Sequence, residues 1–334
     1  MKLIIPMAGR GSRLRPHTLI TPKPLVPIAG KPIVQKLIED FAHDYDGQIE
    51  EIAFVIGDFG QAVEESLLEV AKGVGAVGKI YHQNQPLGTA HAIYCAEPSL
   101  HGPVMIAFAD MLFRADFSFD KNAEGIIWAQ KVPDPSAYGV LKLDQEGFIT
   151  DFVEKPTEFV SDLAIAGIYY VKDGDALRKE IKYLLDNDIK EKGEYQLTNA
   201  LENLKSKGTK FIPGEVKEWL DCGNKPAFIA ANKRALEWME KDLKIPADTK
   251  LENSVIIQPC HIGQQVKLKN TVIGPYVTLG DNVSVYNSVI KNSVIGDKTT
   301  VREALLKDSM ISTNASYNGD FKNVSLGDYT KYEE

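Results

Sequence analysis

Asn253-Ser254-Val255-Ile256 returns as Asn270-Thr271-Val272-Ile273 and again as Asn287-Ser288-Val289-Ile290, each copy 17 residues after the last. Few folds can accommodate that period. Ile262-Gly263 and Leu279-Gly280 repeat at the same step, and within each period the aliphatic positions run six apart: Ile256, Ile262, Leu268, then Ile273, Leu279, Val285. One inward aliphatic per face and three faces per period is the pattern of a parallel β-helix, whose coils bury by stacking what one coil cannot. Asn292-Ser293-Val294-Ile295 and Asp308-Ser309-Met310-Ile311 continue the theme less regularly. The pattern begins beyond Ile245-Pro246-Ala247-Asp248. We therefore expect a domain over 1–245 and a β-helix over 246–334, a division that suits 334 residues.

The first domain reads differently. Leu3-Ile4-Ile5, Ile52 to Ile56, Lys79 to His82 and Val104 to Phe108 are candidate buried strands, and helical patterns separate them from Ile33, from Gln61 to Lys72 and from Thr89. Strands alternating with helices predict a parallel, doubly wound α/β sheet with ligands beyond the carboxyl ends of the strands. There the first strand empties into Gly9 and Gly11, glycines that allow successive N–H groups to converge on a phosphate, and Arg13 adds a fork-shaped cation. From Met1 to Lys31 the basic residues are Lys2, Arg10, Arg13, Arg15, Lys23 and Lys31, with no Asp or Glu, in a chain of net charge −8. Such a positive island suits a small anionic ligand and argues against a nucleic-acid surface. Gly73 to Lys79 imitates both a dinucleotide fingerprint and a P-loop, but a helix precedes it and a strand follows, the reverse of what either motif needs.

Other functional classes are excluded by composition. No apolar run approaches the roughly 20 residues of a membrane span. The Leu3 to Met7 run, with Pro6 inside it and arginines after it, is not a signal peptide. Cys95, Cys222 and Cys260 are too few and too scattered for a disulfide framework or a zinc site, and indicate the reducing cytoplasm.

Several polar residues sit where chemistry could use them. Gln83 offers an amide suited to the edge of a uracil or thymine ring, and Gly88 lets a base approach the backbone, although such a loop is more often a polar helix cap. Asp110 follows a buried strand, well placed to hold a hard cation; an isolated Asp there is more often a turn or cap residue. Tyr138 to Leu143 and Phe148 to Val153 flank Asp144-Gln145-Glu146-Gly147 as a hairpin, closed by Glu154-Lys155-Pro156. Asn224 and Pro226 cap and start a long helix to about Leu243.

Ala8-Gly9-x-Gly11-Ser12-Arg13-Leu14-x-Pro16 followed by Thr21-Pro22-Lys23-Pro24-Leu25 resembles the N-terminal signature of the sugar-1-phosphate nucleotidylyltransferases. The order Gln83…Gly88, Asp110, Tyr138-Gly139, Glu154-Lys155-Pro156, Ala166-Gly167-Ile168-Tyr169, Gly193-Glu194-Tyr195-Gln196-Leu197-Thr198 and Trp219-Leu220-Asp221-Cys222-Gly223 continues the likeness downstream. It departs at Ala109-Asp110-Met111, where the family has Gly-Asp-Asn, at Asn199, and at Lys192, where thymidylyltransferases carry a phosphate-binding Arg. The resemblance implies a Rossmann-like catalytic domain and a left-handed hexapeptide-repeat β-helix. It implies Mg²⁺ on Asp110 and Asp221, and catalytic roles for Arg13, Lys23, Asp110 and Lys155. The nucleotide would meet Ala8, Gly9, Gly11, Arg13, Gln83 and Gly88; the sugar phosphate would meet Tyr138, Gly139, Glu154, Lys155 and Glu194. Expected ligands are a nucleoside triphosphate, dTTP or UTP, and a sugar 1-phosphate, in a homo-oligomer that binds no nucleic acid or membrane. The pair dTTP and glucose 1-phosphate leads. Uridylyltransferase, guanylyltransferase, non-catalytic regulatory and, for the β-helix, acetyltransferase readings stand behind it.

Overall fold

In the run Lys2–Pro6 (β1) all five residues are buried, which requires cover on both faces of the strand. Leu3 and Ile5 enter one apolar layer and Ile4 the other, the period-two alternation of a strand. The computed structural model describes residues 1–320 except Asp116, Ser118, Phe119 and Lys121; the expected second domain's 321–334 thus lie outside the described residues. By packing, the chain divides into Met1–Val26 with Lys31–Ala227, and Pro27–Gly30 with the residues from Phe228 on.

The first unit continues through α1 (Ile33–Asp44), β2 (Glu51–Ile56), α2 (Gln61–Gly73), β3 (Val77–His82), α3 (Thr89–Cys95), β4 (Val104–Ala107), β5 (Met111–Ala115) and β6 (Gly125–Lys131). Then come β7 (Gly139–Leu143), β8 (Ile149–Glu154), β9 (Leu163–Val171), α4 (Gly174–Asp186), α5 (Leu197–Ser206) and β10 (Phe211–Asp221). α1 and α2 cover one face of the sheet through Val34, Leu37, Phe41, Leu67 and Ala71. α3, α4 and α5 cover the other through Ala90, Ile93, Leu177, Ile181 and Leu201. Gly73 ends α2 and Val77 opens β3, so the glycine-rich stretch between them is a helix-to-strand connection.

Strand order is β3-β2-β1-β4-β9-β6-β10-β5, with β7 beside β9 and β8 beside β7. The first four strands are parallel as expected. Beyond β4 the sheet is mixed: β9 runs antiparallel to both β4 and β6 and β10 antiparallel to β5, while β10 and β6 are parallel. The turn Asp144–Gly147 joins β7 to β8, and a turn that tight can join only antiparallel neighbours.

In the second unit the coils pair in parallel, Val255-Ile256 on Val272-Ile273 and these on Val289-Ile290. Asn253, Asn270 and Asn287 turn the corners at φ of 48°, 54° and 46°, a left-handed conformation that Asn tolerates better than most side chains. Their amides stack as a ladder, Asn253 donating to Asn270 at 3.0 Å and Asn270 to Asn287 at 2.9 Å. Ile262, Leu268, Ile273, Leu279 and Val285 fill the interior. The step shortens from 17 to 16 after the third copy, where Val289 pairs with Leu305. Val294-Ile295 belongs to another face, paired with Thr278-Leu279. The preceding helix, α6 (Lys225–Trp238), stops short of the expected Leu243. Among the described residues no helix is long and apolar enough to cross a membrane.

Candidate active site

Beyond the end of β1 the chain turns at Gly11, where φ is 73° and a Cβ would lie 2.5 Å from Lys23 Cβ. Glycine is required there on both counts. The close approach seats Lys23 against the loop with only 6% of its side chain exposed, its Nζ 3.4 Å from Asp110 Oδ2. Ala8, Gly9, Gly11 and Arg13 line a cleft of about 680 Å³, together with Lys23, Asp110, Gln83 and Gly88.

Asp221 reaches the same region from β10. It pairs in register with Met111, the residue after Asp110, and its Oδ1 accepts the Gly223 N–H at 2.7 Å. A Cβ at Gly223 would meet Asp221 Oδ1 at 2.8 Å and Arg13 Nη2 at 3.3 Å, so carboxylate and guanidinium flank one bare glycine. Asp221 lines neither cavity described here; its neighbours Gly223 and Trp219 do. The intervening Cys222 thiol is pushed up to about 12 by burial, which leaves it a packing group. Among the described residues no three His, Cys, Asp or Glu side chains could hold a metal. A pair of carboxylates beside a phosphate-sized cleft nevertheless fits Mg²⁺, which commonly takes one or two carboxylates and completes its shell with water and substrate phosphates.

A second cavity, of about 220 Å³, adjoins the first: Thr89, Phe108, Asp110 and Glu194 line both. Its walls include Tyr138, Gly139, Glu154 and Lys155. Glu154 is 13% exposed and 3.5 Å from the half-exposed Lys155 ammonium. A Cβ on Gly139 would stand 3.1 Å from Glu154 Oε2, crowding the carboxylate. Tyr169 is buried among these groups, and burial, reinforced by the charges of Glu154 and Asp110, raises its pKa and keeps the phenol neutral. The Tyr138 ring packs 4.6 Å from that of Trp219, whose indole N–H points at Met111 Sδ, 2.6 Å away. Met111 thus occupies its departure from the family pattern as an apolar wall.

Two features escaped sequence reading. Lys192 Nζ donates to the carbonyls of Glu154 (3.1 Å) and Lys155 (2.7 Å), clamping a turn in which Lys155 holds φ at 42°. The sequence marked Lys192 only as a departure from a phosphate-binding Arg, and no motif foretold the clamp. Thr198, nearly buried, lines the smaller cavity with a hydroxyl that has no hydrogen-bond partner. A hydroxyl in the first turn of an apolar helix was the available signal. Residues 87–90 and 195–197 are stitched together by Tyr195 N–H to Leu87 O, Ala90 N–H to Tyr195 O and Leu197 N–H to Thr89 Oγ1, each 2.9 Å. This brings Glu194 to the junction of the two cavities.

A half-parallel α/β sheet with a Gly-Arg loop at its strand ends, facing two carboxylates and a buried lysine, is an arrangement built to manage phosphate charge. The chain belongs to the nucleotidyl transferase family, whose model matches residues 2–237, and is an enzyme of that class. It is 30% identical to the bifunctional protein GlmU of Methanococcus maripaludis, over 95% of this chain and 79% of that one. It is 27% identical to a glucose-1-phosphate thymidylyltransferase of Streptomyces antibioticus, over 100% of this chain and 99% of that one. Among solved structures, UDP-glucose pyrophosphorylase complexed with UDP-glucose shares the fold, with a TM-score of 0.58 at 24% identity over 71% of this chain and 98% of that one.

Proposed function

We propose that the protein joins a nucleoside triphosphate to a sugar 1-phosphate and releases pyrophosphate, with dTTP and glucose 1-phosphate as its pair. The observation that carries this reading is the meeting of two cavities at Asp110, one walled by the Gly-Arg loop and the other by groups suited to sugar hydroxyls. The Streptomyces thymidylyltransferase, similar along its whole length, supports the choice of pair. In the reaction an oxygen of the sugar phosphate attacks the α-phosphorus as the bond to the β-phosphate oxygen breaks, and that electron pair leaves with pyrophosphate. No covalent nucleophile is required. Both reactants are anions, so catalysis rests on positioning and charge neutralisation.

In this reading the loop from Ala8 to Gly11 and Arg13 hold the triphosphate, with Gln83 and Gly88 at the base. Lys23 and Lys155 neutralise the reacting phosphates, while Tyr138, Gly139, Glu154 and Glu194 orient the sugar. Asp110 and Asp221 would hold Mg²⁺, which when bound offsets phosphate charge at the reacting centre. The enzyme would work in the cytoplasm as a homo-oligomer. The β-helix is given a structural role: acetyl transfer on such a helix would need a catalytic His, and His261, the one His in the sequence of this repeat region, has its ring packed against Gly30. A second reading, UTP with glucose or N-acetylglucosamine 1-phosphate, is favoured by Leu87-Gly88-Thr89-Ala90-His91-Ala92, which resembles the loop of uridylyltransferases.

The test is pyrophosphate release with Mg²⁺ over dTTP, UTP, GTP, CTP and ATP against glucose, N-acetylglucosamine and mannose 1-phosphates. Rapid release with dTTP and glucose 1-phosphate is expected. Silence across the grid from folded protein would defeat the proposal. In the same assay Lys192→Met should raise KM for the sugar 1-phosphate about tenfold, because the turn carrying Lys155 loses its clamp. An unchanged KM would deny the clamp any part in positioning.

A further inference from the structure

Gln83 lines the larger cleft, and what its amide can offer there is set by its neighbours. Its backbone N–H is anchored to Ile56 O at the end of β2, at 2.8 Å. Its Nε2 lies 3.2 Å from Gly88 O and 3.1 Å from His91 Nδ1. A carbonyl can only accept, so the nitrogen end of the amide must face Gly88. Gly88 O also receives the Ala92 N–H at 3.0 Å, which fills its second lone pair. That leaves one amide hydrogen, and His91 is placed to take it. The His91 ring is half-buried, and burial lowers its pKa, so near neutral pH the imidazole is uncharged and Nδ1 can accept. With both hydrogens engaged by the protein, only Oε1 remains for a ligand.

We infer that His91 is a positioning residue for base selection: by holding the second amide hydrogen of Gln83 it leaves that side chain with an acceptor and no donor to offer the cleft. An acceptor pairs with a base that carries a ring N–H on its Watson–Crick edge, as uracil and thymine do at N3. It opposes cytosine and adenine, whose ring nitrogens on that edge are themselves acceptors. This rests on the nucleotide-site reading above and goes past it by naming what orients the glutamine. Without His91, the freed hydrogen can swing toward the cleft and the amide can serve either class of base.

The experiment measures kcat and KM for dTTP, UTP and CTP, with glucose 1-phosphate and with N-acetylglucosamine 1-phosphate. It uses the wild type and three variants: His91→Leu and His91→Phe, which lack the acceptor, and His91→Asn, whose amide oxygen can stand where Nδ1 stood. Wild type should prefer dTTP or UTP over CTP. In the Leu and Phe variants, that preference should fall about tenfold, through KM and with kcat within about twofold, and in the Asn variant it should be restored. A general structural disturbance would raise KM for all nucleotides alike. An unchanged preference in whichever of the Leu and Phe variants melts normally overturns the inference, and so does equal loss in all three. If wild type instead works best with CTP, the reading of the base site fails first, and that outcome is separate because it appears before any substitution.

Discussion

Asp110→Asn is expected to slow pyrophosphate release by about a thousandfold or more while the protein melts at its normal temperature. The substitution keeps the shape of the side chain and removes only its charge. That charge faces the Lys23 ammonium at 3.4 Å, and Lys23 is nearly buried, so the local field at the junction of the two cavities depends on the pair. The fold should survive because Asp110 is half-exposed and lies beyond the end of β4, outside both apolar layers. Turnover and a thermal melt, measured on one preparation, decide the matter. Activity within tenfold of wild type would remove Asp110 from the catalytic centre.

The largest structural effect should come from Gly88→Ala. Gly88 adopts φ 119° and ψ 176°, a conformation essentially reserved for glycine. A Cβ would fall 2.5 Å from Tyr195 O and 2.6 Å from Tyr195 N. Neither atom can yield cheaply, since both are hydrogen-bonded across to Leu87 and Ala90 at 2.9 Å. A cost of about 3 kcal/mol follows, roughly 4–6 °C in a chain of this size, together with a higher KM for the nucleotide. Gly73→Ala is the control: no atom lies within 4 Å of its Cβ position, and it belongs to α2, so its melt should hold or rise slightly. If both variants melt with the wild type, the stitch between residues 87–90 and 195–197 is not rigid.

What could be read from the chain alone was whatever is encoded locally. The Asn of each repeat marks the period and the aliphatics six apart mark the interior, because the pattern of side chains along one coil is set by that coil's own faces. Uninterrupted apolar runs foretold the buried parallel strands, whereas the close approach of Lys23 to Gly11 emerged only in the fold. The antiparallel β9, the shortening of the repeat from 17 to 16 and the passage of α6 into the second packing unit from Phe228 on were not visible in it. Each depends on which distant segments pair, and a strand carries the same alternation whichever way its neighbour runs.

The candidate site divides in the same way. Residue types and order supplied the cations, the carboxylates and the glycines, since their chemistry resides in the side chain or its absence. Only the folded chain determined that Lys192 would spend its ammonium on two backbone carbonyls, that Met111 would wall the smaller cavity, and that His91 would stand against the Gln83 amide. Hydrogen bonds act over about 3 Å. Only tertiary structure brings Lys192 within that reach of residues 154 and 155, and only the turn of chain after β3 brings His91 back to Gln83.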